Sequence, residues 1–309
     1  MAKVLVVGGN GFIGSHLVDS LVRRGHEVSV FDLCDNAVRR WEAPGVQLVS
    51  GDFLNAGDIG EAVRGQDIVV HMLSTTDPAT AERDPTLDVR TNLLSSISLF
   101  EQCVDAGVDR VFFPSTGGAI YGPQDQISFT EESPTRPISP YAIGKLAIEN
   151  YLDYFYHRFG LHSTVVRISN PYGTRQNPRK RQGVIPIFLR QIMHGHPITV
   201  MGDGSMVRDY IYVEDVAEIM SRMITEGTPH PLYNLGSGRP TSVNQIVEVV
   251  SAVTGIKPTI LHSPTPPTYV PHVTLDVSRL REDFPGISIT ELEAGVAKTW
   301  AEMQEMAAQ

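Results

Sequence analysis

The sequence has few cysteines, no long apolar segment and fewer basic than acidic side chains. Two cysteines among 309 residues are too few for a disulfide framework and favour reduced thiols in a cytoplasmic protein. No apolar run approaches the roughly 20 residues that cross a membrane, and the opening "MAKVLVVGG" resembles a strand and turn rather than a signal peptide. The net charge of −10 argues against nucleic-acid binding, which needs a basic surface. No CxxC or histidine-rich cluster indicates a metal, so we expect no nucleic-acid, membrane or metal partner.

The first half of the chain alternates short apolar runs with helical patterns. The runs are rich in β-branched residues and nearly continuous, as expected of strands buried on both faces of a parallel sheet. The predicted strands are 3–8, 27–32, 46–51, 67–72, 110–115 and 163–169. The predicted helices are 12–24, 55–64, 86–106 and 141–159. This alternation predicts an α/β fold with a Rossmann-type, doubly wound parallel sheet.

After residue 170 the pattern changes to polar loops and shorter elements, and 278–307 is predicted to be mostly helical. We therefore predict two parts. Residues 1–169 form the nucleotide-binding Rossmann domain, to which 205–230 returns. Residues 170–309 form a smaller C-terminal α/β substrate-binding region.

A glycine-rich turn joins the first predicted strand to the first helix. In "VVGGNGFIGSHLV", Gly8, Gly11 and Gly14 are spaced GxxGxxG, and Phe12 and Ile13 open the helix. Glycine permits a tight turn and lets backbone N–H groups approach a pyrophosphate at the helix N-terminus. A glycine triplet alone is weak evidence, but its position between strand and helix favours dinucleotide binding over a structural turn.

Acidic residues follow the next two strands. Asp32 ends the second strand about 20 residues after the glycines, where a carboxylate accepts hydrogen bonds from the adenosine ribose and repels a 2′-phosphate. This position favours NAD over NADP. Asp52 and Phe53 in "GDFLN" are candidates to flank the adenine, although a turn or a helix cap by Asn55 explains the segment nearly as well.

Tyr141 and Lys145, in "SPYAIGK", stand four residues apart and therefore share one side of a predicted helix. One interpretation is an ordinary surface pair. The other is a phenol, with an ordinary pKa of about 10, that a nearby ammonium and a positive nicotinamide ring convert to a phenolate. Such a phenolate acts as a general base. YxxxK is a frequent coincidence, but together with the N-terminal glycine motif it indicates a catalytic pair.

These motifs and several others, in this order, resemble the extended short-chain dehydrogenases/reductases. The match is to the NAD-dependent nucleotide-sugar epimerase/dehydratase family, and within it most closely to the UDP-glucose (UDP-galactose) 4-epimerases. The other matching segments are "HMLSTT", "RTNLLSS", "STGGAIYG", "RISNPYGTRQNP", "GDGSMVRDYIYVEDVA" and "YNLGSG". The resemblance covers most of the chain. It implies a homodimer that uses NAD to invert C4 of a UDP-hexose through a transient 4-keto intermediate.

The resemblance also implies roles for single residues around the cofactor. Tyr141 would take the proton of the hexose 4-hydroxyl, and Lys145 would also contact the nicotinamide ribose. Leu73 and Ser74 would line the cofactor after the fourth strand. Asn92 would brace the nicotinamide side of the site.

Two further residues would bind the diphosphate of the sugar nucleotide. Asn170 in "SNPYG" is one, and Arg208 in "VRDY" is the other, since a guanidinium forks onto phosphate oxygens. An ion pair of Arg208 with Asp209 or Asp215 is the alternative. We favour phosphate, because an acidic chain needs a cation to hold a dianion.

The chain departs from the family pattern in two places. The family's catalytic Ser or Thr precedes the tyrosine of "YG" by four residues, a position that Gly117 occupies here. We expect Thr116 to supply this hydroxyl and to contact the substrate, with Ser115 as the next candidate. The family's dehydratases and decarboxylases carry acids in this stretch, and Gly117 and Gly118 offer none. Near the C-terminus, Pro266 and Tyr269 replace an expected Arg and Asp, so Tyr269 is the candidate to stack on or hydrogen-bond to the nucleotide.

Two other functions stay open at this point. A nucleotide-4-keto-sugar reductase or dehydratase of the same family is one, and a non-catalytic cofactor-sensing module is the other. For the homodimer, the resemblance implies a four-helix interface from the helices near 86–106 and 141–159. These helices carry apolar residues beyond those that the sheet needs, among them Leu93, Leu94, Ile97 and Leu152.

Overall fold

The computed structural model describes residues 1–33, 39–176, 183–265 and 270–308. The strands are β1 (Lys3–Val7), β2 (Glu27–Asp32), β3 (Gln47–Ser50), β4 (Ile68–His71), β5 (Arg110–Thr116), β6 (Ser128–Phe129), β7 (His162–Ile168), β8 (Asn170–Tyr172), β9 (Ile198–Met201), β10 (Val207–Tyr212), β11 (Leu232–Leu235), β12 (Pro240–Ser242), β13 (Ile260–Ser263) and β14 (His272–Leu275). The helices are α1 (Phe12–Arg23), α2 (Ala56–Val63), α3 (Pro78–Arg83), α4 (Pro85–Asp88), α5 (Leu94–Ala106), α6 (Pro140–Phe159), α7 (Val184–Met193), α8 (Val213–Glu226), α9 (Val243–Thr254), α10 (Ser278–Asp283) and α11 (Leu292–Ala308).

Seven parallel strands form the large sheet, in the order β11-β7-β5-β4-β1-β2-β3. The chain moves outward from β1 through β2 to β3 and then crosses to β4 on the other side of β1. The strand order therefore reverses between β1 and β4, and ligands of open α/β sheets bind at the carboxyl ends of the strands at such a point. This is the predicted Rossmann-type, doubly wound fold.

Apolar side chains cover both faces of the large sheet. On one face, α1 packs against α8, and Leu17, Leu21 and Met220 lie in one buried cluster. On the other face, α2, α5 and α6 pack side by side, and Phe100 and Leu152 lie in a second cluster. Burial on both faces explains the continuous apolar runs in the sequence.

The C-terminal part adds a smaller sheet to this framework. Its strands run in the order β12-β10-β14-β6, and β8 also pairs with β10. A third apolar cluster joins α7, α9 and α11. The strand β11 extends the large sheet beside β7, so the chain returns from the smaller region to the larger one.

Two long predicted helices are interrupted in the structure. The segment 86–106 consists of α4, a π-helical turn over Val89–Leu93 and α5. The segment 278–307 divides into α10 and α11, separated by a turn that contains Pro285 and Gly286. Proline and glycine explain the second break, because neither favours a continuous helix. The first break has its cause in side-chain contacts, which are described below.

The described cysteine lies in the protein core. Cys103 is buried in the second cluster, and this burial raises the pKa of its thiol to about 12, while Cys34 lies outside the described residues. Among the described residues, no helix is both long and apolar enough to span a membrane.

Candidate active site

The glycine-rich turn lies at the carboxyl end of β1 and leads directly into α1. Gly8 has a φ of +84°, and its N–H donates to the carbonyl of Phe31 at 2.8 Å. A side chain at Gly8 would lie 2.8 Å from the backbone of Leu73, and one at Gly14 would overlap the carbonyl oxygen of Gly8. Gly11 is the N-cap of α1 and has no side chain that could occupy the N–H groups of Phe12 and Ile13. The turn is therefore a glycine cradle that leaves the helix N-terminus available to an anion.

Asp32 lies beside this cradle at the end of β2. Its Oδ2 accepts a hydrogen bond of 2.9 Å from the N–H of Asn10. Burial raises the pKa of Asp32, and the N–H groups of Asn10 and Leu33 oppose that rise. The structure thus brings Asp32 and the glycines together at one edge of the sheet, where an adenosine ribose would follow the pyrophosphate.

Asp52 and Phe53 follow β3 at the same edge. Oδ1 of Asp52 accepts a hydrogen bond of 2.9 Å from the N–H of Leu54, so this carboxylate stabilises the turn in which it lies. The ring of Phe53 is buried and lies 5.2 Å from the ring of His71. Because the ring of Phe53 is buried, only the backbone of this residue is available to a ligand. The contact with adenine stays a prediction.

The loop after β4 is held by Asn92, which lies in the π-helical turn. Its Oδ1 accepts from the N–H of Thr75 at 2.8 Å. Its Nδ2 donates to Thr76 Oγ1 at 2.7 Å and to Asp88 Oδ1 at 2.8 Å. These bonds draw the turn toward the loop that carries Leu73 and Ser74, which explains why the helix widens here. Single π-turns of this kind are frequent at functional sites.

Tyr141 and Lys145 lie one turn apart on α6. The helix is fixed at its start by Ser139, whose hydroxyl accepts from the N–H of Ala142, and by Pro140 in the first turn. Nζ of Lys145 donates to the carbonyl of Pro114 at 3.2 Å and lies 6.0 Å from the centre of the Tyr141 ring. A small cavity brings both residues together with Leu73, Ser74 and Asn92.

Burial and the charges around this pair disfavour the phenolate form of Tyr141. Burial lowers the pKa of Lys145 to about 8, against the opposing effects of Asp88 and Glu149. Burial first, then Asp88 and Asp77, raise the pKa of Tyr141 to about 12. Burial and the neighbouring carboxylates therefore favour the protonated phenol, and the positive nicotinamide ring expected from the sequence would act in the opposite direction.

Ser115 and Thr116 differ sharply in their surroundings at the end of β5. Ser115 Oγ donates to Glu149 Oε1 at 2.5 Å, and Glu149 pairs with Arg167 at 2.7 Å. All three side chains are buried, so Ser115 is engaged in a polar network below the cavity. Thr116 is 9% exposed at the strand end. A side chain at position 117 would meet Leu275 Cδ1 at 2.5 Å, which explains the glycine there.

The substrate-side residues lie on β8 and β10. Nδ2 of Asn170 donates to the carbonyl of Asp209 at 2.9 Å, and a side chain at Gly118 would lie 3.3 Å from the Asn170 amide. Asn170 is therefore close to the glycine loop that follows Thr116. Pro266 and Tyr269 lie outside the described residues.

Arg208 lies on β10, and its Nη1 donates to the carbonyl of Val207 at 2.7 Å. Asp209 and Asp215, the two carboxylates considered as alternative partners of Arg208, accept hydrogen bonds from other groups. Asp209 accepts from the backbone and hydroxyl of Ser237 at 2.8 and 2.7 Å. Asp215 accepts from the backbone and hydroxyl of Thr290, both at 2.8 Å. The phosphate role of Arg208 stays a prediction.

Sequence reasoning missed two buried carboxylates at this site. Glu149 follows Lys145 by four residues, so the helical spacing of Tyr141 and Lys145, extended by one turn, could have identified it. Asp88 precedes Asn92 by four residues, but no motif marks it as part of the cavity.

Comparisons with known proteins agree with this geometry. The NAD dependent epimerase/dehydratase family matches residues 4–236. A UDP-glucose 4-epimerase of Mycolicibacterium smegmatis is 30% identical, over 96% of this chain and 97% of that protein. The crystal structure of a Thermotoga maritima UDP-glucose 4-epimerase with UDP-glucose is similar with a TM-score of 0.92, at 32% identity over 99% of both chains. A Thermus thermophilus UDP-glucose 4-epimerase in complex with NAD has a TM-score of 0.90 at 33% identity, over 98% of this chain and 99% of that one.

Proposed function

The chain belongs to the NAD-dependent epimerase/dehydratase family, and on that premise we propose that it inverts C4 of a UDP-hexose of the UDP-glucose/UDP-galactose type. The reaction passes through a transient 4-keto intermediate. One observation carries the proposal: a single cavity joins Tyr141 and Lys145 to Leu73 and Ser74, beside the glycine cradle. A general base and a dinucleotide site thus meet at the switch point of the sheet.

The cradle and its neighbours fit NAD. Gly8, Gly11 and Gly14 let the N-terminus of α1 approach a pyrophosphate, and Asp32 accepts from the ribose hydroxyls. When bound, NAD supplies a positive ring and an acceptor for the hydride of C4. Lys145, whose ammonium is held by the carbonyl of Pro114 on β5, would contact the nicotinamide ribose.

In the proposed mechanism, the protein handles the proton. Tyr141 takes it from the 4-hydroxyl, and Thr116 relays it between the sugar oxygen and the phenol. Asn170 and Arg208 hold the diphosphate, so that the 4-keto sugar can turn over in the pocket while remaining bound. With NAD bound, the hydride taken from C4 would return to the opposite face of the 4-keto sugar while Tyr141 gives the proton back to the 4-oxygen, and the inversion would be complete.

The glycines after Thr116 argue against a dehydratase. Dehydration needs an acid for the leaving hydroxyl and a base for the adjacent carbon, and neither Gly117 nor Gly118 supplies one. A side chain at position 117 would meet Leu275 Cδ1 at 2.5 Å, so Leu275 would have to move to admit one. Epimerisation through a 4-keto sugar needs proton transfer at the 4-oxygen, assigned here to Tyr141, and hydride exchange at C4, which bound NAD would supply, but no further acid or base at positions 117 and 118.

The experiment that tests the function is incubation of the purified protein with UDP-glucose without added cofactor. We expect conversion to UDP-galactose with no net change in nicotinamide absorbance. A 4-keto-sugar reductase would instead consume reduced cofactor stoichiometrically. UDP-N-acetylglucosamine and UDP-glucuronate, offered in parallel, identify the preferred hexose. Failure to convert any of the three would support the cofactor-sensing module.

We expect the isolated protein to carry NAD rather than NADP. Asp32, with its carboxylate anchored by the N–H of Asn10, repels a 2′-phosphate. The discrimination should be about tenfold or more, which corresponds to roughly 1.4 kcal/mol. The measurement is chromatography of the extracted cofactor, followed by calorimetric titration of both dinucleotides. Tighter binding of NADP would contradict the assignment, and Asp32→Ala should narrow the preference.

We further propose a homodimer built from α5 and α6. Leu152, one of the residues expected at the interface, is 0% exposed and belongs to the core, so that part of the sequence argument was wrong. Leu93 and Ile97 are partly buried, whereas Leu94 is 55% exposed. On α6, Ile143, Tyr151 and Tyr154 are exposed at helical spacing and form one apolar face.

Sedimentation should show a dimer at micromolar concentration. Tyr151→Glu, which places a charge on the apolar face of α6, should shift the protein toward the monomer. Tyr156→Glu is the matched control, because Tyr156 is also exposed but points away from that face. A monomeric wild type, or equal effects of both changes, would contradict the interface.

We propose the cytoplasm as the location. The protein has two cysteines, and the described one, Cys103, is buried with a raised pKa, as is typical of a reduced structural thiol. Fractionation of cells that express the tagged protein tests this, and recovery with the envelope would contradict it.

A further inference from the structure

Asp88 is a buried carboxylate at the end of α4, and the proposed mechanism does not use it. It is 3% exposed. Oδ1 accepts hydrogen bonds from Thr76 Oγ1 and, at 2.8 Å, from Asn92 Nδ2. A buried charge is costly, so its retention beside a cavity calls for a function.

The carboxylate faces α6 at the point where that helix carries the catalytic pair. A methyl group at Gly144 would overlap Oδ2 of Asp88, so the glycine is what allows α6 to approach this closely. Asp88, Tyr141, Gly144 and Lys145 line the same small cavity. Asp88 is therefore a third charged group of the site, placed between the loop after β4 and α6.

We propose that Asp88 is a positioning residue that keeps Tyr141 protonated and Lys145 charged until the oxidised cofactor and the sugar occupy the site. The inference rests on the proposed function and deepens it. The carboxylate opposes a second negative charge on the phenol and stabilises the ammonium. Formation of the phenolate is thereby tied to the positive charge that the bound cofactor contributes.

Two other carboxylates near this site act in the same direction as Asp88, and the nearby histidine adds no charge. Asp77, the N-cap of α3, also acts on Tyr141, and Glu149 also acts on Lys145. Next to burial, Asp88 is the first cause that raises the pKa of Tyr141, and it is the first that opposes the lowering at Lys145. Burial lowers the pKa of His71, on β4, to about 3, so this ring adds no charge near neutral pH.

The sign of the expected change follows directly. Loss of the Asp88 charge lowers the pKa of Tyr141, so the base is deprotonated at lower pH and the acid limb of the profile moves down. The same loss lowers the pKa of Lys145, so the ammonium is lost earlier and the alkaline limb also moves down. A close charge shifts a pKa by about 1 to 3. We expect each limb of the profile to move down by about one pH unit. At a given pH on the acid limb, the rate of the variant, as a fraction of its own maximum, should then be roughly tenfold higher than that of the wild type.

The test compares Asp88→Asn and Asp88→Ser with Gly144→Ala, which disturbs the same contact but keeps the charge. The first measurement is the pH profile of kcat/KM. The second is the phenolate absorbance of the NAD-loaded protein, from which the titration of the same protein with Tyr141→Phe is subtracted. This subtraction isolates one phenol among ten tyrosines.

We expect both Asp88 variants to move the two limbs and the Tyr141 titration to lower pH, whereas Gly144→Ala changes the rate without moving them. A lower rate with an unmoved profile and titration would overturn the proposal, as would failure of both Asp88 variants to fold when Gly144→Ala folds. If the wild type converts no sugar nucleotide, the proposed function fails, and the Tyr141 titration still decides the role of Asp88.

Discussion

Tyr141→Phe is expected to abolish turnover while leaving NAD bound. The substitution removes only the hydroxyl, so the ring still fills its place beside the cavity and α6 keeps its packing. Loss of a positioned general base typically costs about 10²–10⁴-fold in rate. The effect should fall on kcat, because the substitution leaves Asn170 and Arg208, the residues proposed to hold the diphosphate, unchanged. The assay is single-turnover conversion of UDP-glucose, with cofactor content measured on the same sample.

Tyr156→Phe is the control for this change. Tyr156 is an exposed tyrosine on the same helix, and removal of its hydroxyl should change neither turnover nor the content of NAD. A variant at position 141 that kept near-wild-type activity would mean that another group serves as the base. A variant that lost both activity and NAD would mean that the hydroxyl is needed to hold the cofactor.

Thr116→Val should lower kcat by roughly 10²–10⁴-fold, the usual cost of a lost acid–base partner, and a fall of at least about tenfold would support the assignment. Valine keeps the branched shape and removes only the hydroxyl, so the strand end should stay intact. The proposed relay between the sugar oxygen and Tyr141 would then be broken. Steady-state rates with UDP-glucose, together with thermal melting, separate this effect from a loss of stability.

Ser115→Ala is the matched comparison, and the structure predicts a different outcome for it. Ser115 donates to Glu149 in a buried network, so its loss should lower stability by about 1–3 kcal/mol. The rate should hardly change, because the hydroxyl of Ser115 is already hydrogen-bonded to Glu149. A large fall in kcat for Ser115→Ala with a silent Thr116→Val would move the role to Ser115. If neither change affects the rate, the site works with Tyr141 alone or with water.

Much of the fold and part of the site could be predicted from the sequence, because their signals are local. The apolar runs identified six of the seven strands of the large sheet within one or two residues, since most of these strands are buried on both faces, whereas β11 was not among the predicted strands. The spacing of Tyr141 and Lys145 placed them on one side of α6, since a helix repeats every 3.6 residues. The glycines around Gly11 were identified by the strand and helix that flank them.

Other features could not be predicted, since they depend on contacts between distant segments. The pattern over 86–106 is that of one helix, but Asn92 reaches the loop after β4 and the helix widens around it. Leu152 was expected to contribute to the dimer interface, yet it lies in the second core cluster. Residues 177–182 and 266–269 are outside the described residues, so the role of Tyr269 stays a prediction.

The sequence by itself determined the fold class, the family and the phenol–ammonium pair, because repeat, spacing and motif order are properties of neighbouring residues. Only the tertiary structure separated Ser115 from Thr116, since the partner of Ser115 lies 34 residues away on another element. It also placed Asp88 against Gly144, where one carboxylate acts on both members of the pair. Electrostatic effects at a buried site depend on distances through space, and folding alone sets those distances.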